Sequence, residues 1–228
     1  MEGLLASQLN YYRARASEYD AWFLRQGRYD RGEAHNAQWL GEVRAVEKAL
    51  ADFAPRGDIL ELACGTGWWT EQLVRYGDSL TAVDASPEVI TLNRKRLPSA
   101  EVNYVQADLF DWQPEQKFDT VFFSFWLSHV PPERFAGFWE TVKKSLNPGG
   151  RVFFIDSSYA REGTAKDHVL NSLDAKTVTR RLDDGRTFEI VKVFYEPERL
   201  EKSLAALGWQ SKVWQTDTFF VYGAATAL

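Results

Sequence analysis

The sequence contains a single cysteine, Cys64, and only three histidines, His35, His129 and His168. One cysteine cannot form an internal disulfide, so a disulfide-stapled secreted scaffold is excluded. The three histidines do not show the ligand spacing of a zinc site, and we predict no metal. A reducing cytoplasm is therefore the expected location.

The sequence also lacks a long apolar run, a basic leader and a Pro/Ser/Gly-rich linker. A membrane span needs roughly 18 consecutive apolar residues, so no membrane partner is expected. The net charge is −5, and the densest basic clusters are only 94–96 and Arg180-Arg181. We interpret both clusters as solvated faces and predict no nucleic-acid partner. A chain of 228 residues without a linker is expected to form one domain, residues 1–228.

Apolar and aromatic side chains are abundant instead, at 45% and 14% of the residues. This composition excludes a disordered chain and supplies a sizeable core. Short apolar runs alternate with helix-compatible segments, which predicts an α/β, doubly wound Rossmann-like sheet, mostly parallel with an antiparallel last strand. A β-hairpin inserted at 175–195 is indicated by two β-rich segments around Asp183-Asp184-Gly185-Arg186. Main-sheet strands are predicted at about 58–63, 80–84, 102–106, 118–124, 151–156, 211–215 and 219–222.

The stretch ILELACGTGWWT, residues 59–70, organises the rest of the chain. An apolar strand leads into Gly65-Thr66-Gly67 and then into a helix-compatible segment. The glycines allow a ligand to approach the backbone closely, and the helix start offers free N–H groups. The stretch therefore predicts a small-molecule site.

Two residues separate this motif from a dinucleotide fingerprint. Thr70 occupies the third glycine position, and Glu61 places a carboxylate four residues before Gly65, where it would repel a pyrophosphate. Glu61, Gly65 and Gly67 resemble the first motif of the class I S-adenosylmethionine-dependent methyltransferases, whose cofactor has a cationic amino-acid end. NAD binding and a bare structural turn are the alternatives.

Further acidic residues stand at later strand ends. Asp84 follows Gly65 by nineteen residues, a spacing at which a carboxylate reaches a ribose 2′-hydroxyl in both cofactor classes. Asp108-Leu109 resembles the family position that accepts a hydrogen bond from the adenine amino group. The resemblance implies S-adenosylmethionine as cofactor, leaving as S-adenosylhomocysteine. The implied cofactor residues are Tyr12, Tyr19, Glu61, Ala63, Gly65, Gly67, Trp69, Thr70, Asp84, Ala85, Ser86, Asp108, Leu109, Phe110, Ser124 and Phe125.

An unusually aromatic segment precedes the first strand, between Tyr11 and Phe23. In small-molecule methyltransferases of this family a similar Tyr-rich leader folds over the cofactor. The resemblance therefore implies that residues 1–55 form a helical lid region and 56–224 the Rossmann-like core. A helix that merely packs is the alternative.

The segment after the fourth strand resembles that of family members acting on small metabolites, because His129 precedes Val-Pro. It lacks the Asn/Asp-Pro-Pro-aromatic tetrad of enzymes that methylate DNA bases or glutamine amides. Imidazole titrates near physiological pH, so His129 is the candidate general base, with Asp156 as a candidate assistant at the end of the fifth strand. An ordinary structural histidine is the alternative.

The expected function is methyl transfer to a small metabolite, with O-methylation favoured over N- or C-methylation. Trp69, Phe125 and Trp126 lie near strand ends, which favours an apolar or aromatic acceptor. The hairpin is expected to build either the acceptor pocket or a subunit contact, and the second case implies a homodimer. A catalytically silent cofactor-binding or assembly protein and an NAD-dependent oxidoreductase are the alternative functions.

Overall fold

The computed structural model describes residues 2–228. The helices are α1 (Glu2–Arg15), α2 (Tyr19–Phe23), α3 (Glu33–Phe53), α4 (Trp68–Leu73), α5 (Pro87–Arg96), α6 (Phe135–Lys144) and α7 (Pro197–Ala206). The strands are β1 (Asp58–Leu62), β2 (Ser79–Asp84), β3 (Asn103–Gln106), β4 (Phe118–Ser124), β5 (Leu146–Ser157), β6 (Thr177–Arg181), β7 (Thr187–Val191), β8 (Trp209–Gln215) and β9 (Phe220–Ala227). No helix within this range is both long and apolar enough to cross a membrane.

Seven strands form one sheet in the order β3-β2-β1-β4-β5-β9-β8. Strands β1 to β5 pair in parallel, whereas β9 runs antiparallel to both β5 and β8. The predicted Rossmann-like sheet with an antiparallel last strand is thus confirmed. Strand β1 pairs with β2 on one side and β4 on the other. The chain therefore adds β2 and β3 to one side of β1 and then crosses to add β4 and β5 to the other side. Open α/β sheets bind ligands at the carboxyl ends of the strands at such a switch point.

Helices cover both faces of the sheet, and the central strand β4 is buried on both. Consecutive side chains of a strand point to opposite faces. Phe122 accordingly packs in a cluster with Trp39 and Val46 of α3, and Phe123 packs in another with Trp139 of α6. This double coverage explains why β4 is a nearly continuous apolar run.

Strands β6 and β7 form the separate hairpin. Its apolar face does not rest on the main sheet but on α1, where Tyr11 packs with Val178, Leu182 and Ile190. Gly185 in the connecting turn has a φ of 89°, a conformation that glycine adopts without strain. The hairpin and the N-terminal helix therefore form one packed unit.

Several element boundaries differ from the prediction: the last strand, expected at 219–222, runs over Phe220–Ala227, and the helix after β1 was expected to run to about Tyr76. Helix α4 ends at Leu73, because the N–H groups of Arg75 and Tyr76 bond three residues back and tighten the last turn. Strand β5, expected to begin at Arg151 after a turn at Pro148-Gly149-Gly150, begins at Leu146 and contains that turn as an irregularity, with a φ of 76° at Gly149. The β4–β5 register shifts after Phe118, and this irregularity accommodates Pro148, which has no N–H to donate.

Candidate active site

The turn between β1 and α4 lies at the switch point of the sheet. Ala63, Gly65 and Gly67 have φ values of 54°, 53° and 94°. A Cβ on Gly67 would stand 2.5 Å from Oδ1 of Asn93, so packing as well as conformation requires glycine there. Ala63 adopts the left-handed conformation without being glycine, which costs roughly 1 to 2 kcal/mol. The turn is therefore a specified feature that opens the backbone to a ligand.

A cavity of about 840 Å³, which we call the strand-end cavity, lies beside this turn and beneath α1. A ligand there would contact the carboxyl ends of β1, β2 and β4. Its lining is formed by Leu5, Gln8, Leu9, Tyr12, Ala16, Tyr19, Ala63, Gly65, Asp84, Ala85, Ser86, Val89, Asp108, Leu109, Phe110, Ser124, Phe125 and Trp126.

Most of the predicted cofactor residues thus meet at one cavity. Gly67 and Trp69 line a smaller adjoining cavity of about 260 Å³, which shares Tyr19 and Phe125 with the first. Glu61 and Thr70 are buried outside the lining of both cavities.

Asp84 is held so that it faces the strand-end cavity. Its Oδ2 accepts a hydrogen bond from the N–H of Gly65 at 3.0 Å, and its Oδ1 accepts one from the N–H of Ser86 at 2.9 Å. Burial raises the pKa of Asp84, and the backbone donors oppose that shift. Each carboxylate oxygen has a second acceptor position, so Asp84 can still accept from a ligand hydroxyl.

Glu61 carries a buried acceptor atom without a partner. Its side chain is 1% exposed, and Oε2 has no hydrogen bond. Burial, with a smaller contribution from the charge of Asp84, raises the pKa of Glu61 to about 8, although a hydrogen bond from Thr70 opposes the shift. A cation placed nearby would favour the ionised form. This environment fits a ligand with an ammonium group.

A second cavity of about 700 Å³, the cationic cavity, lies on the other side of Tyr12, Tyr19 and Phe125, which line both. Within the described chain its lining includes no aspartate or glutamate. Its polar and charged lining residues are Tyr11, Tyr12, Arg15, Tyr19, Tyr29, His129, Ser157, Ser158, Thr164, His168, Arg180 and Lys192.

Two of the three cations of this cavity, Arg15 and Arg180, have a guanidinium nitrogen without a hydrogen-bond partner. Arg180 is 8% exposed and its Nη1 has no hydrogen-bond partner, so its interpretation as part of a solvated face was wrong. Nε of Arg15 also has no partner. Burial lowers the pKa of Lys192 to about 8, opposed by Asp156, whose Oδ1 lies 3.6 Å from Nζ. The charged side chains that line the cavity are thus all basic.

His129 lines the cationic cavity in a fixed tautomer. Its Nδ1 lies 2.7 Å from the carbonyl oxygen of Val191, which can only accept, so Nδ1 carries the hydrogen and Nε2 has a free lone pair. Burial, and then the charge of Lys192, lowers the pKa of His129 well below its ordinary value. The imidazole is therefore neutral at physiological pH.

Comparison with known proteins identifies the family of the chain that carries these two cavities. Residues 59–150 match the family model described as a methyltransferase domain. Two solved structures, the DhpI–SAH complex and the DhpI–SAM–HEP complex, are 40% and 41% identical to this chain. They cover 100% and 99% of it and 98% and 99% of their own chains, each with a TM-score of 0.83. The chain belongs to the class I S-adenosylmethionine-dependent methyltransferases.

Two curated relatives extend the comparison. The demethylmenaquinone methyltransferase of Tropheryma whipplei (strain Twist) is 27% identical over 197 residues, 81% of this chain and 77% of that protein. The ubiquinone biosynthesis O-methyltransferase of Xanthomonas axonopodis pv. citri (strain 306) is 30% identical over 176 residues, 75% of this chain and 70% of that protein. The predicted enzyme class and the cofactor, S-adenosylmethionine, are thus confirmed.

In this methyltransferase, Asp156 lies behind the wall of the cationic cavity and lines neither large cavity. Its Oδ2 accepts from the N–H of Ser128 at 2.8 Å, and its Oδ1 accepts from the N–H of Ser157 at 2.7 Å. Nζ of Lys192 in turn donates to Oγ of Ser128 at 2.8 Å. Asp156 thus lies next to Lys192, at 3.6 Å from its Nζ, and is separated from both large cavities.

The N-terminal helices of the methyltransferase are tied to the cofactor side of the sheet. Oγ1 of Thr66 in the glycine turn donates to Oδ1 of Asp20 at 2.7 Å, and Asp20 also pairs with Arg96 of α5. Arg13 forms an ion pair with Glu88 at 3.0 Å. These contacts hold α1 and α2 as a cover over the strand-end cavity.

Several lining residues were not predicted. Leu5, Leu9 and Ala16 share the helical spacing of Tyr12, and that spacing is a signal that could have identified them. Val89 and Trp126 complete the strand-end cavity without any motif that marks them.

Proposed function

We propose that this methyltransferase transfers a methyl group to an oxygen of a small acceptor that carries an oxyanion, such as a carboxylate or phosphoryl group. The observation that supports this most directly is the cationic cavity, which adjoins the strand-end cavity through Tyr12, Tyr19 and Phe125. A buried cation without a partner is destabilising unless a ligand compensates it. The apolar or aromatic acceptor expected from the sequence is therefore replaced by an anionic one in this proposal.

The strand-end cavity is proposed to hold S-adenosylmethionine, which supplies an electrophilic methyl group on a sulfonium. Asp84 would bind the ribose hydroxyls through its free acceptor positions, and Asp108 with Leu109 would bind the adenine. Glu61 would compensate the ammonium end, since its Oε2 is otherwise unpartnered. The other predicted cofactor residues are proposed as wall and turn residues of this site and of the smaller cavity beside it, except Thr70, which lines neither cavity and hydrogen-bonds Glu61 instead.

The residues of this chain would align the acceptor with the methyl group, exclude water from the site and place positive charges beside the acceptor. When bound there, the cofactor would supply the methyl carbon that the acceptor oxygen bonds, and its sulfur would keep the electron pair of the broken bond as a neutral thioether. An oxyanion attacks with its own lone pair and needs no base. Arg15, Arg180 and Lys192 would therefore bind and orient the acceptor and remove the need for proton transfer.

A hydroxyl acceptor with an anionic group elsewhere is the second candidate, and the free Nε2 of His129 favours it. Burial and the charge of Lys192 lower the pKa of His129, which makes it a weak base. A bound anion would offset the charges of Lys192 and Arg180 and raise that pKa again. His129 would then remove the hydroxyl proton during transfer.

The hairpin supplies Arg180 from β6 and Lys192 from the residue after β7, which supports its assignment to the acceptor pocket. The alternative, a subunit contact that makes a homodimer, stays a prediction.

The test is a turnover assay with a matched panel of small molecules. Carboxylates and phosphoryl compounds would each be paired with an uncharged analogue, and phenols would serve as neutral aromatic acceptors. S-adenosylhomocysteine release gives the rate, and mass spectrometry of the product shows which oxygen carries the methyl group. We expect turnover of at least one oxyanion class, with kcat/KM at least about tenfold above its neutral analogue, since each hydrogen bond to a charged group contributes about 1.5 to 3 kcal/mol.

A preference for neutral phenols would contradict the proposal. Cofactor binding without turnover of any oxyanion or hydroxyl compound would instead favour the silent alternative. The separate carboxylate and phosphoryl arms distinguish the two acceptor classes that share this chemistry.

A further inference from the structure

Helix α1 uses two adjacent faces for two different sites. Leu5 and Leu9 line the strand-end cavity. Tyr11 and Arg15, offset around the helix, line the cationic cavity, and Tyr11 also packs on the hairpin. Gln8 lies between the two faces, three residues before Tyr11, and lines the strand-end cavity as well. The same helix therefore completes both the cofactor site and the proposed acceptor site.

Gln8 joins three separate segments through its amide. Its Nε2 donates to the carbonyl oxygen of His129 at 3.0 Å, and its Oε1 accepts from the N–H of Val191 at 3.0 Å. Nδ1 of His129 donates in turn to the carbonyl of Val191 at 2.7 Å. The orientation of the amide is unambiguous, because a carbonyl can only accept and an N–H can only donate.

These three hydrogen bonds form a closed ring that connects Gln8, His129 and Val191. The ring is buried, because the side chain of Gln8 is only 3% exposed. Two members of the ring bear directly on the cationic cavity. His129 lines the cavity itself, and Val191 immediately precedes Lys192, which also lines it. The hydrogen bonds of Gln8 therefore connect α1 to the two segments that carry the imidazole and the ammonium.

We propose that Gln8 is a positioning residue that couples the seating of α1 over the cofactor to the assembly of the cationic cavity. The inference rests on the proposed function, because it takes the cationic cavity as the acceptor site. A ligand in the strand-end cavity contacts Leu5 and Leu9 and favours the seated helix. The seated helix then fixes His129 and Val191 through Gln8 and brings Arg15 to the acceptor.

Coupling of this kind is reciprocal between the two ligands. S-adenosylhomocysteine strengthens anion binding in the cationic cavity, and an anion there strengthens binding of S-adenosylhomocysteine by the same factor. A glutamine that only stabilised the fold would contribute equally to both states and would produce no such factor.

The test uses Gln8→Met, which keeps the length of the side chain and removes both hydrogen bonds. Gln8→Glu is the second variant, because a carboxylate still accepts from Val191 but cannot donate to His129. Asn10→Ala is the matched control on the same helix, since Asn10 is exposed and lines neither of the two large cavities. Thermal unfolding and calorimetric titration with S-adenosylhomocysteine verify that each variant is folded and binds the cofactor product.

Two readouts are measured with and without S-adenosylhomocysteine. The first is hydrogen exchange of the Lys192 and Val193 amides, which bond to Lys176 and Ser128 and not to Gln8. The second is the affinity for inorganic phosphate, used as the anion probe. In the unmodified protein and in Asn10→Ala we expect S-adenosylhomocysteine to slow this exchange and to tighten phosphate binding, each by about fivefold or more.

In Gln8→Met both effects should fall below about twofold, while exchange at the glycine turn still responds to the ligand. If Gln8→Met does not fold, the same loss of both effects is expected in Gln8→Glu, which lacks the bond to His129. A folded variant that retains both effects would overturn the inference, as would an unmodified protein whose hairpin exchange does not respond. Absence of phosphate binding with a normal exchange response would instead count against the anionic acceptor and leave the coupling intact.

Discussion

Replacing Arg180 by methionine should make the ligand-free protein more stable and the enzyme less active. The guanidinium is buried, Nη1 has no partner, and burial together with the charge of Arg15 lowers its pKa. Methionine keeps the apolar packing of the side chain and removes the buried charge. Most substitutions of a buried residue destabilise a protein, so an increase would be informative.

The two expected effects have opposite signs and comparable size. A buried polar group without a partner costs about 1 to 3 kcal/mol, so we expect a gain of about 1 to 2 kcal/mol, or roughly 2 to 8 °C in Tm for a chain of this length. Loss of one hydrogen bond to a charged acceptor costs about 1.5 to 3 kcal/mol. That corresponds to a decrease in kcat/KM of roughly 10- to 150-fold.

The assays are denaturant unfolding of the ligand-free protein and initial rates with the best acceptor of the panel. Arg186→Met is the control on the same hairpin, because Arg186 is exposed and paired with Asp184, and exposed pairs contribute little. It should change stability by less than about 0.5 kcal/mol and leave kcat/KM within about twofold. A destabilised Arg180→Met protein with unchanged kcat/KM would refute the assignment of Arg180 as an acceptor-binding cation.

Three further predictions concern the cofactor and the base. Asp84→Asn should weaken S-adenosylmethionine binding in calorimetry by about 10- to 100-fold, and tighter binding of NAD would contradict the site assignment. His129→Gln should leave kcat within about threefold for an oxyanion acceptor but lower it at least about 100-fold for a hydroxyl acceptor, which identifies the nucleophile. The pKa of Glu61 is raised from 4.5 to about 8 in the folded protein, so between these pH values the folded state binds a proton that the unfolded state has lost. The free energy of unfolding, measured without ligand, should therefore fall as the pH rises from about 4.5 to 8. Glu61→Gln should lack this part of the pH dependence, and a fall of equal size in that variant would exclude Glu61 as its source.

The residues of the proposed cofactor site could be predicted because the sequence patterns that mark them lie close together in the chain. Gly65, Gly67 and Asp84 belong to one β-turn-α-β stretch, where chain spacing fixes spatial proximity. The Ser86-Pro87 helix start was likewise predictable, since Oγ of Ser86 accepts from the N–H of Val89 at 3.3 Å. Such features need no knowledge of the tertiary fold.

The cationic cavity could not be predicted in the same way, because its charges come from distant segments. Arg15 lies on α1, whereas Arg180 and Lys192 come from the hairpin, and no spacing rule connects them. One signal did exist. Side chains alternate along a strand, so Arg180 shares the face of Val178 and Arg181 does not, and this alternation matches the burial of β6. An arginine at an apolar-face position therefore indicated a buried charge.

Helix α1 also gave no clear amphipathic pattern. A helix normally buries one stripe and exposes the other. Here Leu5 and Leu9 face the strand-end cavity, while Gln8 and Tyr11 face the hairpin, and both are covered. Because α1 is covered on two faces, and one of these faces carries the polar amide of Gln8, its sequence shows no single apolar stripe. The usual rule for predicting which side of a helix is buried therefore fails here.

The most direct test of the central claim compares an oxyanion acceptor with its neutral isostere. The ratio of kcat/KM for the anion to kcat/KM for the isostere is measured in the unmodified enzyme and again in Arg180→Met. In the unmodified enzyme the ratio should be at least about tenfold in favour of the anion, and in Arg180→Met it should fall by about tenfold or more, because the variant loses a charge that only the anion uses. An equal ratio in both proteins, or a preference for the neutral isostere in the unmodified enzyme, would contradict the account.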